Sequence, residues 1–393
     1  MIIMLLFPLH LKRFRKRMTS PSLLSPDSIW VDQFFEFEHV GNSIEELETP
    51  VPIIDLDIAV ANLVRWQNFC NVHAIENWPH IKTHKLIPMA KLQMTLGAKG
   101  ICVQKLGEAE VMANAGLVDQ LLTFNVVGAE KLARLAELRK RIQISVVADS
   151  AAVVQGLDFA AKSAGRNIDV LVECDTGAAR NGVQSPTAAL ELAQMIDKTS
   201  GLKFAGLMTY PPAFARDAVD TFIIETKSLL AKSGLDCARV SSGGSRDLWA
   251  ENGLKSITEY RAGTYIYNDR AQVACGAATI EDCAETVLTT IVSVPTHKRA
   301  IVDAGSKALT SDLSGMESYG IVRSLNSAPL YQLNEEHGYL DISESPVPPK
   351  VGDKVKVAMN HVCPVNNLFD KVIFVRGEKV MGAVRVDARG KVQ

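Results

Sequence analysis

Several things are missing from this chain of 393 residues. It has no surplus of either charge: 42 Lys and Arg stand against 44 Asp and Glu, a net charge of −2. The two signs are interspersed, so nothing points to a nucleic-acid partner or an anionic membrane. It has no uninterrupted apolar run of about 20 residues, the length a helix needs to cross a bilayer. It has no long low-complexity stretch. It has no GxGxxG after its first strand-like segment, where an open dinucleotide-binding sheet would carry one. Cysteine is sparse and odd in number, with seven scattered residues. That pattern suits free thiols in a reducing, cytoplasmic compartment better than a disulfide framework, with one thiol available to a metal.

The start of the chain stands apart. MIIMLLFPLHLKRFRKRMTS puts a short apolar run before a basic one, the reverse of a secretory signal. A transit segment, a disordered arm and an upstream mis-start with Met18 as initiator are all compatible with it. Residues 1–17 are therefore set aside from fold reasoning, and residues 1–48 are read as an N-terminal arm. Beyond it, β-branched runs alternate with amphipathic segments. The runs are PHIK (79–82), GICVQ (100–104), LLTFNVV (121–127), QISVVA (143–148), IDVLVEC (168–174), FAGLMTY (204–210), ARVSSG (238–243) and SITEYRAG (256–263). Between them, segments such as 107–116, 129–141, 186–198 and 218–234 repeat their apolar residues at helical spacing. Continuous apolar strands separated by helices imply a parallel sheet covered on both faces, and eight is the number that closes a (β/α)8 barrel. From about residue 283 the pattern changes to short alternating strands with Gly, Pro and Asp turns. The expected architecture is an α/β barrel over 49–278 followed by a β-rich domain over 279–393, with TPVPIIDLD (49–57) placed to pack against that domain.

In such barrels, reacting groups sit at the C-terminal ends of the strands. The first run ends at Lys82. The fifth is followed by DTGAARNGV, which supplies Arg180, and the sixth ends at Tyr210. The last two are followed by SSGGSR and RAGTY, which supply Ser242, Gly243, Gly244, Arg261, Gly263 and Thr264. The small residues offer backbone N–H groups for a phosphate. Each residue alone is most simply structural. Together, in barrel order, they suggest pyridoxal 5'-phosphate held on a lysine. A second constellation is NHVCPVNNLFD (360–370). On a strand, His361 and Cys363 would face the same way, making half of a Zn²⁺ site. The plainer alternative is a buried cysteine beside a satisfied histidine.

PHIKTHK, read with the His-x-Cys pair, resembles the D-serine dehydratase and D-threonine aldolase family. The likeness runs from about Thr49 to the C-terminus through GEAEVMANAG, CDTGAARNGV, SSGGS, YRAG, DAGSKAL and HVCP. It implies the alanine-racemase-type barrel, pyridoxal phosphate on Lys82 rather than Lys85, and His361 and Cys363 as ligands of a divalent metal. It also implies Arg180 in the cofactor network, Tyr210 beside the ring, Arg261 facing the pyridine nitrogen, and a homodimer. The segment after Tyr210, PPAFAR, departs from the family. The cysteine of the metal pair looks dehydratase-like, whereas the following VNNLFD looks aldolase-like. The resulting expectation is a metal-assisted lyase for a small β-hydroxy D-amino acid. Dehydration to a 2-oxo acid and ammonia is preferred to retro-aldol cleavage to glycine and an aldehyde. A racemase would have no use for the His361–Cys363 pair, and a non-catalytic cofactor carrier would have no use for a second domain.

Overall fold

The structure is a computed structural model that describes residues 23–26, 31–250 and 255–393. The question raised by residues 1–17 lies outside them. The first described strand, β1 (Val51–Asp55), precedes the barrel. The barrel strands are β2 (Glu76–Asn77), β3 (Ile101–Val103), β4 (Asp119–Leu122), β5 (Gln143–Ala148), β6 (Ile168–Cys174), β7 (Leu202–Thr209), β8 (Arg239–Ser242) and β9 (Glu259–Tyr260). They form one parallel sheet in the order β2-β9-β8-β7-β6-β5-β4-β3. The sheet closes on itself between the segment after β2 and β3. There His80 bridges Cys102, and the Cys102 N–H donates to the Pro79 carbonyl at 2.8 Å.

Helices α1 (Leu56–Val72), α2 (Ile87–Leu96), α3 (Leu106–Asn114), α4 (Ala129–Arg141), α5 (Ala151–Ala164), α6 (Pro186–Lys198) and α7 (Arg216–Lys232) surround the strands. Their ends follow local chemistry. Asp55 caps α1 through the N–H groups of Asp57 and Ile58, and Ser185 caps α6, whose first residue is Pro186. Inside the barrel, Cys102, Leu121, Val147, Leu171 and Met208, one from each of β3 to β7, form a separate apolar plug. Each such side chain contributes about 2 kcal/mol by leaving water. The plug gives the polar groups above it a rigid floor.

Two expectations about the strands change. PHIK is not a strand: β2 ends at Asn77, and Ile81–Thr83 is a 3-10 turn. LLTFNVV is a strand only as far as Leu122.

The second domain comprises β10 (Glu285–Thr296), β11 (Arg299–Val302), β12 (Gly320–Val322), β13 (Ala328–Leu333), β14 (Gly338–Asp341), β15 (Lys354–Met359), β16 (Lys371–Arg376) and β17 (Lys379–Arg385). Strand β10 pairs with β1, β15 and β11, so β10-β11-β14-β13-β12-β15 closes into a ring. β1 lies antiparallel to β10 and parallel to β16. The segment that precedes the barrel thus belongs to the second sheet. Of the short helices α8 (Arg270–Ala274), α9 (Ser306–Leu309) and α10 (Val362–Leu368), α8 bonds the Asn360 carbonyl through the Ala271 N–H and α10 packs against the Ile81–Thr83 turn, so both link the two domains.

Candidate active site

A cleft of about 570 Å³ opens at the C-terminal ends of the barrel strands, against α10 and the loop bearing Ser314. Of the residues expected in a site, Lys82, Arg180, Tyr210, Gly244, Arg261, Gly263, Thr264, His361 and Cys363 line it. Ser242 and Gly243 do not. Ser242 ends β8 buried, with its carbonyl accepting the Arg261 N–H at 2.9 Å. Gly243 backs onto Arg261, where an added Cβ would lie 2.7 Å from the Arg261 carbonyl oxygen. Both lie directly against Arg261, which lines the cleft.

Lys82 sits in the 3-10 turn that ends the first barrel segment. His80 caps this turn, and its Nδ1 accepts the Lys82 N–H at 3.4 Å. Burial pushes the Lys82 ammonium below its ordinary pKa, and Arg180 and Arg261 push the same way against the opposing pull of Cys363. Those are the conditions for a nucleophilic amine. Lys85 is different. It is buried away from the cleft, paired with Glu108 at 3.0 Å and donating to the Ala388 carbonyl at 3.3 Å.

His80 Nε2 lies 3.1 Å from both Gln104 Oε1 and Thr123 Oγ1. Burial, with Lys82 and Arg261 nearby, lowers its pKa well below the usual value, so the ring is neutral. Arg261 is buried and fixed by Ser241 Oγ at 2.8 Å and the Thr209 carbonyl at 2.9 Å. Arg180 is half-exposed, with its guanidinium 4.7 Å from the Tyr210 ring centre and 4.0 Å from Glu173. Burial raises Glu173 to about 7 despite Arg261 and Arg180.

The small-residue loops meet beside Lys82. An added Cβ at Gly263 would come 2.8 Å from Thr83 Oγ1, so that close approach requires glycine. Gly244, with φ +137°, faces the Tyr210 ring, whose Cε2 would lie 3.9 Å from an added Cβ. The expectation of free N–H groups at Gly263 and Thr264 changes: both donate to Ser245 Oγ, at 3.3 and 3.2 Å. At this point the two amides orient a serine hydroxyl.

The other end of the cleft holds the His361–Cys363 pair. They are not on a strand. His361 is the cap residue of α10 and Cys363 lies in its first turn. His361 Nδ1 is 2.7 Å from Asp312 Oδ2. Burial alone would lower the histidine, but its hydrogen bond with Cys363, the thiolate charge and Asp312 raise it to about 9. The same partnership, with Thr83 Oγ1 at 3.2 Å from Sγ, draws Cys363 below its ordinary value against burial. A carboxylate on one ring nitrogen leaves the other for a metal, and an imidazole with a thiolate suits Zn²⁺. Among the described residues, no group of three or more His, Cys, Asp or Glu is arranged around a metal position, so a metal held here would take at most this pair as ligands from such a group.

Gln104, Thr123, Ser245 and Asp312 were absent from the sequence-based set. Ser245 had a signal, since it directly follows the two glycines. Asp312 had none, because it meets His361 across 49 residues of chain.

A closed parallel barrel with an amine on its rim, joined to a mostly antiparallel β domain, defines the alanine-racemase-like architecture. Residues 54–271 match the alanine racemase N-terminal domain and residues 284–375 the putative serine dehydratase domain, and the chain belongs to the family that combines them. It is 32% identical to D-threonine aldolase from Arthrobacter sp. over 89% of this chain and 95% of that protein. It is 29% identical to D-threo-3-hydroxyaspartate dehydratase from Delftia sp. strain HT23 over 82% and 93%. It superimposes on the crystal structure of D-threonine aldolase from Filomicrobium marinum with a TM-score of 0.84, at 30% identity, covering 91% of this chain and all of that one. No described helix is long and apolar enough to cross a membrane.

Proposed function

We propose that this chain is a pyridoxal-phosphate- and metal-dependent lyase for β-hydroxy D-amino acids, with dehydration to a 2-oxo acid and ammonia as its principal reaction. One observation carries the reading: Lys82 and the His361–Cys363 pair line the same cleft, joined through the Thr83 hydroxyl on Cys363. A lyase of this kind needs a base at Cα and a Lewis acid at the β-oxygen, side by side.

Pyridoxal phosphate, when bound, supplies an electron sink conjugated to the substrate Cα. Lys82 would carry it, with Ser245, Gly244 and Thr264 around the phosphate end. The depressed pKa of Lys82 makes its amine available to take the α-proton. Arg261 is held on two sides and serves as a fixed positive charge in the wall. His80 remains neutral and takes no part as an acid. Arg180, over the Tyr210 ring, supplies a solvent-exposed positive charge to the cleft. A divalent metal, most simply Zn²⁺, would sit on His361 and Cys363 and polarise a β-hydroxyl, with Asp312 orienting the imidazole.

Retro-aldol cleavage is the second reading, supported by likeness to the two aldolases along nearly the whole chain. The thiolate of the pair supports dehydration. The Delftia dehydratase has solved His→Ala and Cys→Ala variants at positions two apart, and the second is described as the metal-free form. The resemblance also makes a homodimer part of the proposal, and sedimentation tests it.

The deciding experiment is product analysis with D-threonine, with added Zn²⁺ and after chelation. Metal-dependent 2-oxobutyrate and ammonia are expected. Glycine and acetaldehyde would establish the second reading, and neither product from D-threonine, D-serine or 3-hydroxy-D-aspartate would overturn both.

A further inference from the structure

Beyond β17, the chain runs back onto the barrel and lies behind the Lys82 turn. Val386 and Ala388 are buried there. Asp387 Oδ2 accepts the Ile87 N–H at 2.7 Å. That bond caps α2, whose own cap residue, Leu86, has no side-chain acceptor. Ala388 bonds Lys85 twice: its N–H donates to the Lys85 carbonyl at 3.0 Å, and its carbonyl accepts from Lys85 Nζ at 3.3 Å. Further on, the Gln393 carbonyl accepts the Gly107 N–H at 2.8 Å, at the start of α3. The strap passes so close that a Cβ on Gly107 would lie 3.2 Å from the Lys391 Cβ.

Lys85 needs this support. Its φ is +56°, in the left-handed region that a side chain disfavours. Its ammonium pairs with Glu108 at 3.0 Å, both side chains being buried. Glu108 Oε2 in turn accepts the Gln104 N–H at 2.7 Å, and Gln104 holds His80, the cap of the Lys82 turn. Lys82 is thus flanked on both sides by groups that lead back to the strap: downstream through Lys85 and α2, upstream through His80, Gln104 and Glu108.

We propose that residues 386–391, acting through Asp387, Ala388 and Lys85, are a positioning strap by which the second domain sets the Lys82 turn for cofactor attachment. The second lysine of IKTHK is then neither a spare nucleophile nor a solvated surface group. It is the post to which the strap is tied. This rests on the reading of Lys82 as the cofactor lysine. It adds that the barrel cannot hold that lysine in place by itself. Fraying of the strap would loosen the cofactor seat while leaving the sheet and its apolar plug intact.

The test uses the full-length chain and three variants: Asp387→Ala, Lys85→Met and Asp387→Asn. Two quantities are read. One is the visible absorbance of the lysine–cofactor adduct during titration with pyridoxal phosphate. The other is backbone hydrogen exchange over residues 80–88 in the cofactor-free chain. Asp387→Ala should weaken uptake roughly 5-fold, the worth of one lost cap, and Lys85→Met, which leaves Glu108 buried and unpaired, by at least as much; both should speed exchange in that segment while the barrel strands stay protected. Asp387→Asn keeps an acceptor oxygen and should restore both. Wild-type chain that forms no visible adduct would sink the cofactor-lysine reading itself. Adduct in the wild type, with uptake and local exchange unchanged in Asp387→Ala and Lys85→Met, would overturn the strap alone. Exchange that rises throughout the chain in Asp387→Ala would also overturn it, by showing a general structural role. If Asp387→Ala does not fold, Lys85→Met, which leaves the strap sequence intact, decides by the same two readouts.

Discussion

His80-Ile81-Lys82 and His361-Val362-Cys363 share one layout, but their histidines hold different charge states. In each, an extended segment ends at a histidine that occupies the cap position of a short helix, and the reactive side chain follows two residues later. His80 faces Gln104 and Thr123, both uncharged, with Lys82 and Arg261 close by, and burial keeps it neutral. Burial presses on His361 in the same direction, but Cys363 and Asp312 carry or share negative charge, and they outweigh it. Spacing delivers the residues to the cleft. What each imidazole becomes is set by side chains brought from other strands. One histidine ends as a neutral bracket for a lysine, the other as a partner for an anion or a metal.

The largest expected effect separates the two stretches by function. Lys82→Ala should abolish the visible adduct with pyridoxal phosphate and lower kcat on the order of 10³-fold or more. Cys363→Ala should leave the adduct and remove bound metal, read by elemental analysis. A Cys363→Ala chain that loses the adduct as well would show that the two ends of the cleft are not independent.

A smaller effect isolates the carboxylate that distinguishes them. Asp312→Asn should weaken metal binding about 10- to 100-fold, the usual worth of a carboxylate behind a ligating histidine, measured by competition with a chromophoric chelator. Gln104→Leu, the matching change behind His80, should leave metal affinity unaltered.

The charge states can also be titrated. In the chain without cofactor or metal, the His361 ring signals should move near pH 9, while His80 stays neutral across the same window. His361 is raised from 6.5 to about 9. Its contribution to stability is therefore fully present below pH 6.5 and lost as pH rises through about 9. His80 is lowered, so its contribution is present above 6.5 and lost as pH falls through its folded value. Thermal unfolding followed against pH for His361→Ala should converge on wild type above pH 9. Convergence at acid pH instead would reverse the assignment.

These contrasts mark where the sequence was legible. Helices 129–141 and 186–198 were readable to the residue because apolar periodicity and caps are local signals. Arg180 and Arg261 were readable because barrel geometry ties strand ends to one rim, and Lys82 was singled out from Lys85 by the resemblance of PHIKTHK. The Lys82 turn was not readable as a turn. β2 is only two residues long, and the closure of the barrel at Cys102, not the run PHIK, decides where it ends. His361 and Cys363 were paired for the wrong reason: alternation on a strand was expected, whereas the start of α10 brings them together. Ser245, which takes the two N–H groups reserved for a phosphate, and Asp312, which sets the charge of His361, act across loops. No periodicity registers a contact between residues on separate loops.

The smallest effect concerns the bond that joins the two stretches. Thr83 follows Lys82, and its hydroxyl lies 3.2 Å from Cys363 Sγ. It is buried, and it stands against Gly263 so closely that no other residue type fits opposite. Thr83→Val keeps the branched shape and deletes the donor. A hydrogen bond of this kind has a net worth of about 1 kcal/mol, so metal affinity should fall roughly 5-fold and cofactor uptake should not change. If Thr83→Val is silent on both, the two ends of the cleft merely share a space. If it lowers metal affinity, and its effect fails to add to that of Asp312→Asn in a double-mutant cycle, the lysine turn and the metal pair are one coupled unit.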